Sequence, residues 1–442
     1  MRRRSNPDLP PPPELPSFTV EQELSDEPPS VLERHAGTGL QRHEAPLDDD
    51  AIDPDAAKVV RRLERAGFQA YLVGGCVRDL LLSGRPKDFD VATNARPDDV
   101  RQLFRNCRII GRRFRLAHVL FGNGKVVEVA TFRRNPTESD VDEDEDLLIR
   151  SDNVFGEAHE DALRRDFTIN ALFYDLDRRQ VLDWCGGMPD IRARSICTIG
   201  DPTVRFREDP VRILRAIKFA ARLDLGIDPN VYDAMVAQRG ELARAARPRI
   251  FEEILRLMRM GASHRSMWLL WEIGAMAILL PELSAFLDDD EATSGGSARF
   301  FRKMSLLDAK TKGAGALDDV VLMTALLYDP LEEAASASRD VVGEVNDFLE
   351  PVINRIAMPR RIADGIRRIM FMVPKILAGR TGRFARTEMF LPALDVAELV
   401  VLSRGKSIHG IEALRREALP PPVPARARGA RRQSKPNTPG RR

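Results

Sequence analysis

The 442-residue sequence contains only four cysteines and six histidines. No Cys-x-x-Cys pair occurs, and no histidine stands at metal-ligand spacing beside the scattered cysteines Cys76, Cys107, Cys185 and Cys197. This pattern argues against a zinc site or a disulfide framework and predicts reduced, mostly buried thiols. Carboxylate oxygens remain as the ligands for any metal that the chain binds.

Long apolar runs are also missing. No uninterrupted apolar stretch approaches the length of a membrane span, and the Arg-rich, Pro-rich start lacks the apolar segment of a signal peptide. We therefore expect a cytoplasmic protein with no membrane span. No fixed-period repeat is present, and a composition of 43% hydrophobic and 31% charged residues is typical of two or three globular domains.

A phosphate-binding turn is predicted where the apolar run 71–73, a buried strand, ends at Gly74-Gly75 and continues into a short helix over 77–82. Glycine permits close approach to the backbone, and the first helical turn leaves N–H groups free for an anion. A triphosphate fits there, and Arg78 adds positive charge.

Two carboxylates follow on the next predicted strand. Asp88 and Asp90 are two residues apart, so a strand directs both to one face and Phe89 to the other. Adjacent carboxylates attract Mg²⁺, which keeps coordination positions for phosphate oxygens and an attacking hydroxyl. We predict that Asp88 and Asp90 hold two Mg²⁺ ions, although Asp-x-Asp alone is more often a solvated strand end.

A third carboxylate usually completes such a site. Glu128 lies between Val127 and Val129 on the second strand of a predicted hairpin that turns at 122–124, so it faces away from the two valines. Asp166 is a competing candidate. The sequence leaves the choice between Glu128 and Asp166 open.

The pattern of elements divides the chain into five segments. Residues 1–52 have few large apolar groups and predict a disordered arm, and 53–185 mix strands with helices and predict an α+β head with a mixed or antiparallel sheet. Helical periodicity predicts an all-helical neck over 186–250 and an all-helical body over 251–417, and the family resemblance given below implies that the body binds RNA. Residues 418–442 are expected to form a basic, disordered tail.

More detailed expectations follow from the same periodicities. In the head we expect a helix at 97–104 and strands at 70–73, 88–93, 107–110, 117–121, 126–132 and 169–175. In the neck and body we expect helices from Pro210 to Leu225 and at 250–260, 267–280, 320–327, 341–356, 360–370 and 396–402.

Two segments carry charge of a single sign. The acidic residues 140–146 lie in a segment, 135–153, that we expect to be a mobile loop with a solvated charge run. Residues 426–442 contain seven basic residues and no acid, which predicts contact with a polyanion, or else a merely solubilising tail. The candidate RNA-binding residues there are Arg426, Arg428, Arg431, Arg432 and Lys435.

With these motifs in place, the chain resembles the bacterial class II tRNA nucleotidyltransferase and poly(A) polymerase family. The resemblance rests on Gly74-Gly75, Arg78-Asp79, Asp88-Phe89-Asp90 and the segments 164–172, 208–212 and 215–220. It covers roughly residues 55–285. It implies that 164–172 contacts ribose and that the helix after Glu208 reads the nucleotide base. The implied nucleotide-binding residues are Gly74, Gly75, Arg78, Arg164, Arg165, Asp166, Asn170, Glu208, Asp209, Arg212 and Arg215.

The helix that starts at Pro210 also fits base recognition on physical grounds. Asp209 is a good N-cap and Arg212 lies three residues on, so an acceptor and a donor can project from one helix end toward a base edge. The structural alternative is a capping carboxylate paired with an arginine. His118 is expected to be a hydrogen-bonded structural residue rather than a base.

The family contains enzymes that add CCA to tRNA and enzymes that add adenosines to RNA. The segment 109–121 resembles the one associated with poly(A) polymerases. We therefore expect transfer of AMP from ATP to RNA 3′ ends, with two Mg²⁺ ions, mRNA and other transcripts as substrates, and RNA-decay proteins as partners. A CCA-adding enzyme is the main alternative. A non-catalytic RNA-binding protein and a protein-nucleotidylating enzyme are more remote ones.

Overall fold

The structure is a computed structural model, and the residues that it describes are 39–45, 47–111, 115–135, 154–290, 293–336 and 338–418. Most of the predicted acidic loop and nearly all of the predicted basic tail lie outside these residues. So do the candidate RNA-binding residues Arg426, Arg428, Arg431, Arg432 and Lys435. Residues 112–114, within the segment associated with poly(A) polymerases, also lie outside.

The described part of the head is built on one mixed sheet. Its strands are β1 (Gln41–Glu44), β2 (Ala70–Val73), β3 (Asp90–Thr93), β4 (Cys107–Ile110), β5 (Leu116–Leu120), β6 (Val126–Thr131), β7 (Phe173–Asp175) and β8 (Gln180–Asp183). Their order across the sheet is β1-β8-β7-β2-β3-β6-β5-β4. Neighbouring strands are antiparallel except β3 and β6, which are parallel. The predicted α+β head is therefore confirmed.

Four short helices accompany the sheet: α1 (Pro54–Arg65), α2 (Gly75–Leu81), α3 (Pro97–Leu103) and α4 (Ala158–Leu163). α1 begins as its sequence predicts, because the Asp53 carboxylate accepts hydrogen bonds from the first free N–H groups and Pro54 needs no partner for its nitrogen. One face of α1 is fully buried, including Val59 and Leu63. β5 and β6 form the predicted hairpin, which turns at Gly122–Gly124.

The prediction that residues 1–52 are disordered is wrong for their described part. β1 pairs with β8, from Gln41 opposite Asp183 to Glu44 opposite Gln180, and Leu47 is 7% exposed. β8 was itself not predicted. A strand with few large apolar groups is stabilised here by ladder hydrogen bonds to a sheet edge, and that edge exists only in the folded head.

Two predicted strands are shorter in the structure. β3 begins at Asp90, so Asp88 precedes the strand. The predicted strand over 169–175 is divided into a 3-10 turn, Thr168–Asn170, and β7. The buried Thr168 hydroxyl donates to Asp190 and its N–H donates to the carbonyl of Cys197, which holds the turn against the neck instead of the sheet.

The rest of the described chain is almost entirely helical. The neck contains α5 (Gly187–Ala193), α6 (Pro202–Glu208), α7 (Val211–Leu223), α8 (Pro229–Gln238) and α9 (Arg247–Arg259), with a minimal parallel pair of β9 (Ser195–Ile196) and β10 (Gly226–Ile227). The body contains α10 (Ser263–Glu272), α11 (Met276–Leu279), α12 (Pro281–Asp288), α13 (Gly296–Ala314), α14 (Asp319–Ser336), α15 (Val341–Ile356), α16 (Arg360–Leu377), α17 (Phe390–Ser403) and α18 (His409–Ala418).

Every helix predicted in the neck and body is present. The one predicted over 267–280 is divided between α10 and α11 at Gly274, whose φ of +77° interrupts the helix. In the neck and body, the helices that were not predicted are α5, α6, α8, α12, α13 and α18. Among the described residues, no helix is both long enough and apolar enough to cross a membrane.

Candidate active site

A pocket of about 490 Å³ lies between the head and the helices α7 and α9 of the neck. The predicted site residues that line it are Gly74, Gly75, Arg78, Asp90, Arg165, Asp166, Asn170, Asp209, Arg212 and Arg215. Phe219 and Arg249 also line it and were missed. Phe219 lies four residues after Arg215 on one helix face, so helical spacing could have found it. Nothing in the local sequence points to Arg249.

The turn before α2 requires glycine at one position. Gly74 has φ +72° and ψ −126°, and a Cβ there would lie 2.9 Å from a guanidinium nitrogen of Arg165. Gly75 is less restricted, because a Cβ there would lie no closer than 3.6 Å to the Arg78 guanidinium. Gly74 therefore shapes the pocket floor through its backbone conformation and through the close approach of Arg165.

The strand register places two of the predicted carboxylates side by side. Asp90 lies directly opposite Glu128 in the parallel pair of β3 and β6, so both side chains leave the same face of the sheet. Val91 and Val129, the next residues, are buried on the other face. The prediction that Glu128 faces away from its valine neighbours is confirmed.

Among the carboxylates that line the pocket, Asp90 is the one whose pKa is raised. The surrounding protein desolvates its carboxylate and, together with the negative charge of Glu128, raises its pKa to about 6. Arg165 acts in the opposite direction, and Asp88 adds a smaller repulsion. Neither Asp88 nor Asp90 forms an ion pair with any residue that the structure describes. Negative charge is thus concentrated at this point of the pocket.

His118 contacts the third member of this group. It lies opposite Glu128 in the β5–β6 hairpin, and its Nε2 atom is 3.4 Å from a Glu128 carboxylate oxygen. The distance suits an ion pair or a weak hydrogen bond. His118 therefore lies next to Glu128, and neither residue belongs to the pocket lining.

Asp166 has a different environment. Its Oδ1 atom accepts hydrogen bonds from the N–H of Phe167 at 2.9 Å and from Asn170 at 3.0 Å, and its Oδ2 atom accepts from Arg215 Nε at 2.7 Å. Burial alone would raise the pKa of Asp166, but Arg215 and these hydrogen bonds outweigh it and hold the pKa below its usual range. Asp166 thus anchors Arg215 and keeps little capacity for a metal.

A second carboxylate connects the head to the same neck helix. Asp79 accepts hydrogen bonds from Arg78, in α2, and from Arg222, in α7, the latter at 2.9 Å. Arg78 also donates to the side chain of Asn170, and its guanidinium lies 4.9 Å from the centre of the Phe219 ring. Arg78 is 3% exposed, so it orders the pocket wall and its charge is already balanced.

The predicted base-reading residues have partners other than each other. Pro210 occupies the N-cap position of α7, while Asp209 accepts hydrogen bonds from the N–H of Val211 at 3.3 Å and from Arg249 at 2.7 Å. Arg212 donates to Glu208 at 3.0 Å. Asp209 therefore precedes the N-cap position by one residue, although its Oδ1 atom still accepts from an N–H at the start of α7. The alternative of an Asp209–Arg212 pair is wrong, because the arginine that binds the Asp209 carboxylate is Arg249 from α9.

Four predicted residues lie outside the pocket lining: Asp88, Glu128, Arg164 and Glu208. Glu128 is beside Asp90 on the neighbouring strand. Glu208 is exposed and accepts from Arg205 and Arg212, so it orients arginines at the pocket rim. Arg164 contributes its carbonyl oxygen to Arg205. Asp88 is exposed and precedes β3.

Comparison with known proteins identifies the family. Residues 70–197 match the family model of the poly A polymerase head domain, and residues 224–287 match that of a probable RNA and SrmB-binding site of polymerase A. Over 399 residues the chain is 36% identical to poly(A) polymerase I of Salmonella typhimurium, which covers 86% of this chain and 85% of that protein. The chain belongs to the poly(A) polymerase family.

CCA-adding enzymes are similar in sequence to this poly(A) polymerase family member over a shorter part of the chain. The chain is 37% identical over 263 residues to the CCA-adding enzyme of Geobacillus sp. (strain WCH70), which covers 59% of this chain and 61% of that protein. Its fold matches the Bacillus stearothermophilus CCA-adding enzyme in complex with CTP with a TM-score of 0.61 and 25% identity, covering 83% and 82% of the two chains. The chain is thus a nucleotidyltransferase.

The carboxylates of this poly(A) polymerase family member suit Mg²⁺ by their chemistry. Among the described residues, no three His, Cys, Asp or Glu side chains form a ready metal cage. Mg²⁺ does not require one, because it is commonly held by one or two carboxylates and completes its shell with waters and substrate phosphates. The adjacent pair of Asp90 and Glu128, with Asp88 nearby and no cation paired to either aspartate, fits that donor set.

Proposed function

We propose that the chain transfers AMP from ATP to the 3′-hydroxyl of RNA without a template. The observation that carries the proposal is the register of Asp90, which lines the pocket, with Glu128 on the neighbouring strand, together with the arginines of α7 that line the same pocket. Unneutralised carboxylates on one side and arginines on the other suit a metal-bound triphosphate. The poly(A) polymerase relatives support adenosine as the nucleotide.

ATP would lie with its phosphates toward the head and its base toward the neck. The turn at Gly74 and the Arg165 guanidinium form the floor near Asp90. Asp209 and Arg212 lie at the neck side, each oriented by a partner that leaves further donor or acceptor capacity free. Base selection by fixed side chains would account for nucleotide choice without a template.

The reaction is an in-line attack of the RNA 3′-oxygen on the α-phosphorus of ATP. A new phosphorus–oxygen bond forms to the RNA, and the bond from the α-phosphorus to the bridging oxygen breaks and releases pyrophosphate. When bound, Mg²⁺ lowers the pKa of the attacking hydroxyl and stabilises the leaving group. Asp88 and Asp90 would hold it, and we assign Glu128 as the third carboxylate in preference to Asp166.

Asp166 and Arg215 act instead as positioning residues. Their hydrogen bonds connect the predicted ribose-contacting segment with α7, and Asn170 joins this network through Asp166 and Arg78. The network holds the head and the neck walls of the pocket at a set distance. A preorganised pocket of this kind contributes to rate because its dipoles need not reorganise during the reaction.

A direct assay distinguishes the proposed activity from the alternative one, the addition of CCA to tRNA. Purified protein would receive Mg²⁺ and labelled ATP or CTP separately, with an unstructured RNA and with a tRNA lacking its CCA end. We expect long adenosine ladders on the unstructured RNA. Incorporation restricted to tRNA, with CTP used before ATP and growth ending after CCA, would replace our proposal with the CCA-adding one.

A further inference from the structure

A second cavity, of about 840 Å³, lies at the β4 edge of the head sheet. It is enclosed by α1, the segment between α3 and β4, and the end of β5, and it shares no lining residue with the pocket at Asp90. We refer to it as the edge cavity. Nothing in the proposed chemistry at Asp90 uses it.

The charged residues that line the edge cavity are all cationic: Lys58, Arg62, Arg105 and Arg108. Lys58 pairs with Asp55, and the Arg62 guanidinium lies 5.1 Å from the centre of the Phe104 ring. Arg105 and Arg108 are exposed and form no ion pair with any described residue. Two unneutralised cations beside a concave surface indicate an anionic ligand.

The strand register connects Arg108, on the edge strand, to the proposed reaction centre. The other strand residues of the cavity, Cys107 and Val119, leave the opposite face of the sheet, so Arg108 joins the two faces at the edge. Asp90 lies opposite Glu128, Glu128 opposite His118, and His118 opposite Arg108. These four residues form one row across β3, β6, β5 and β4, and residues in register leave the same face of a sheet. Three strand spacings separate Arg108 from Asp90, which corresponds to about 14 Å.

That row gives the direction in which a polynucleotide would run. An RNA whose 3′ end lies at Asp90 can cross the open sheet face and bring phosphates a few nucleotides upstream to Arg108 at the edge. Half-buried Phe121 adds an aromatic side chain to the cavity, and grooves for single-stranded nucleic acids combine cations with such rings. An acidic protein segment could also bind the cations of the edge cavity, but its binding would not require Arg108 to lie in one row with Asp90. The row therefore favours RNA as the occupant.

We propose that the edge cavity binds single-stranded RNA upstream of its reacting 3′ end, with Arg105 and Arg108 contacting phosphates. The inference rests on the proposed function, because it takes RNA as the substrate. It also explains how a template-independent enzyme could prefer long, unstructured primers over very short ones without reading their sequence.

The test compares R105Q/R108Q with a matched control, R61Q/R65Q. Arg61 and Arg65 are exposed on α1 and line neither cavity, so the control removes the same charge from the same domain. The full chain would be titrated with labelled oligoadenylates of two and of twelve nucleotides at several salt concentrations, without ATP or divalent cation. Thermal unfolding would verify that both variants are folded.

For the twelve-mer we expect R105Q/R108Q to reduce the salt slope by about 1.4, at about 0.7 for each lost phosphate contact, and to weaken binding about 25-fold at 0.1 M salt. The two-nucleotide primer and the control should behave as wild type. An unchanged slope, or an equal loss for both primer lengths, would overturn the inference. Because binding is measured without ATP, a wild-type protein that fails to add AMP contradicts the proposed function and leaves this test intact.

Discussion

The two cavities of the head both suit anions, but they hold their arginines in opposite ways. In the pocket at Asp90 each lining arginine has a carboxylate partner: Arg78 with Asp79, Arg165 with Asp161, Arg212 with Glu208, Arg215 with Asp166 and Arg249 with Asp209. In the edge cavity Arg105 and Arg108 have no such partner among the described residues. A guanidinium group that is paired with a carboxylate is held in one orientation, whereas an unpaired one moves with its flexible side chain.

The difference corresponds to two kinds of recognition. A nucleotide that must react needs donors at set positions, and the carboxylate partners supply that order before the substrate arrives. A polynucleotide backbone needs mainly positive charge, since counterion release provides the affinity whatever the sequence. The carboxylates without a cation, Asp88 and Asp90, are the groups that we propose hold a metal.

The largest expected effect concerns these unpaired carboxylates. Asp90→Asn should lower the rate of AMP addition by about 10³-fold or more, because several kcal/mol of charge stabilisation by a bound metal would be lost. RNA binding should remain near wild type. The measurement is single-turnover extension of an unstructured RNA, with Asp233→Asn, an exposed acid on α8, as the control.

Asp88→Asn should behave like Asp90→Asn if both aspartates hold the metal. Substantial activity in either variant would show that the substituted aspartate is not needed to hold the metal.

The next effect concerns a paired arginine. Arg215→Gln leaves the buried Asp166 without its cation, so the free energy of unfolding should fall by about 3 kcal/mol. Arg212→Gln should cost about 1 kcal/mol or less, because its partner Glu208 is exposed. Urea denaturation of both variants measures the two values. Equal losses would mean that burial of the carboxylate partner does not decide the cost.

A smaller effect tests the turn that brings Arg165 to the pocket floor. Gly74→Ala forces a side chain into a positive φ and against the Arg165 guanidinium, which should cost about 1–3 kcal/mol of stability. Gly75→Ala has neither problem and is the matched control. Differential scanning calorimetry compares the two variants, and similar melting temperatures would contradict the strain assigned to Gly74.

The smallest expected effect is on the pH dependence of stability, to which Asp90 and Asp166 contribute with opposite signs. In the folded protein without divalent cations, the pKa of Asp90 is raised to about 6. Between about pH 4 and 6 the folded state therefore binds one more proton at this group than the unfolded state does. The contribution of Asp90 to the free energy of unfolding consequently falls as the pH rises through that window. The pKa of Asp166 is lowered, so its contribution is present above about pH 4 and is lost as pH falls below that value.

Denaturation of wild type, Asp90→Asn and Asp166→Asn at pH 3–7 without divalent cations checks both signs. Asp90→Asn should remove the decline between pH 4 and 6, and Asp166→Asn should reduce the acid loss. The same slope in wild type and Asp90→Asn would place the raised pKa on another group.

Much of the architecture was predictable because it depends on local pattern. The alternation around Glu128, the glycine turn at 122–124, and the caps and periodicity of α1 and α15 follow from neighbours in the chain. Ten residues of the pocket were identified as well. Gly74, Gly75, Arg78 and Asp90 follow from local pattern, and the others follow from the resemblance of their segments to the family's motifs.

What sequence reasoning missed depends on distant partners. β1 is a strand only because β8 offers it an edge, Arg249 reaches Asp209 across 40 positions, and the row from Asp90 to Arg108 exists only through strand register. The choice between Glu128 and Asp166 is of the same kind. Both are acids beside apolar residues in the sequence, and the fold alone saturates Asp166 with hydrogen bonds and places Glu128 next to Asp90.

The sequence by itself therefore determined the α+β head, the helical segments after it and the set of charged residues available for chemistry, because short-range propensity and periodicity encode them. The tertiary structure decided which of these charges are neutralised by a partner within the protein and which remain unpaired. The physical reason is that a charge's environment depends on burial and on partners within a few ångströms, and these come from elements far apart in the chain.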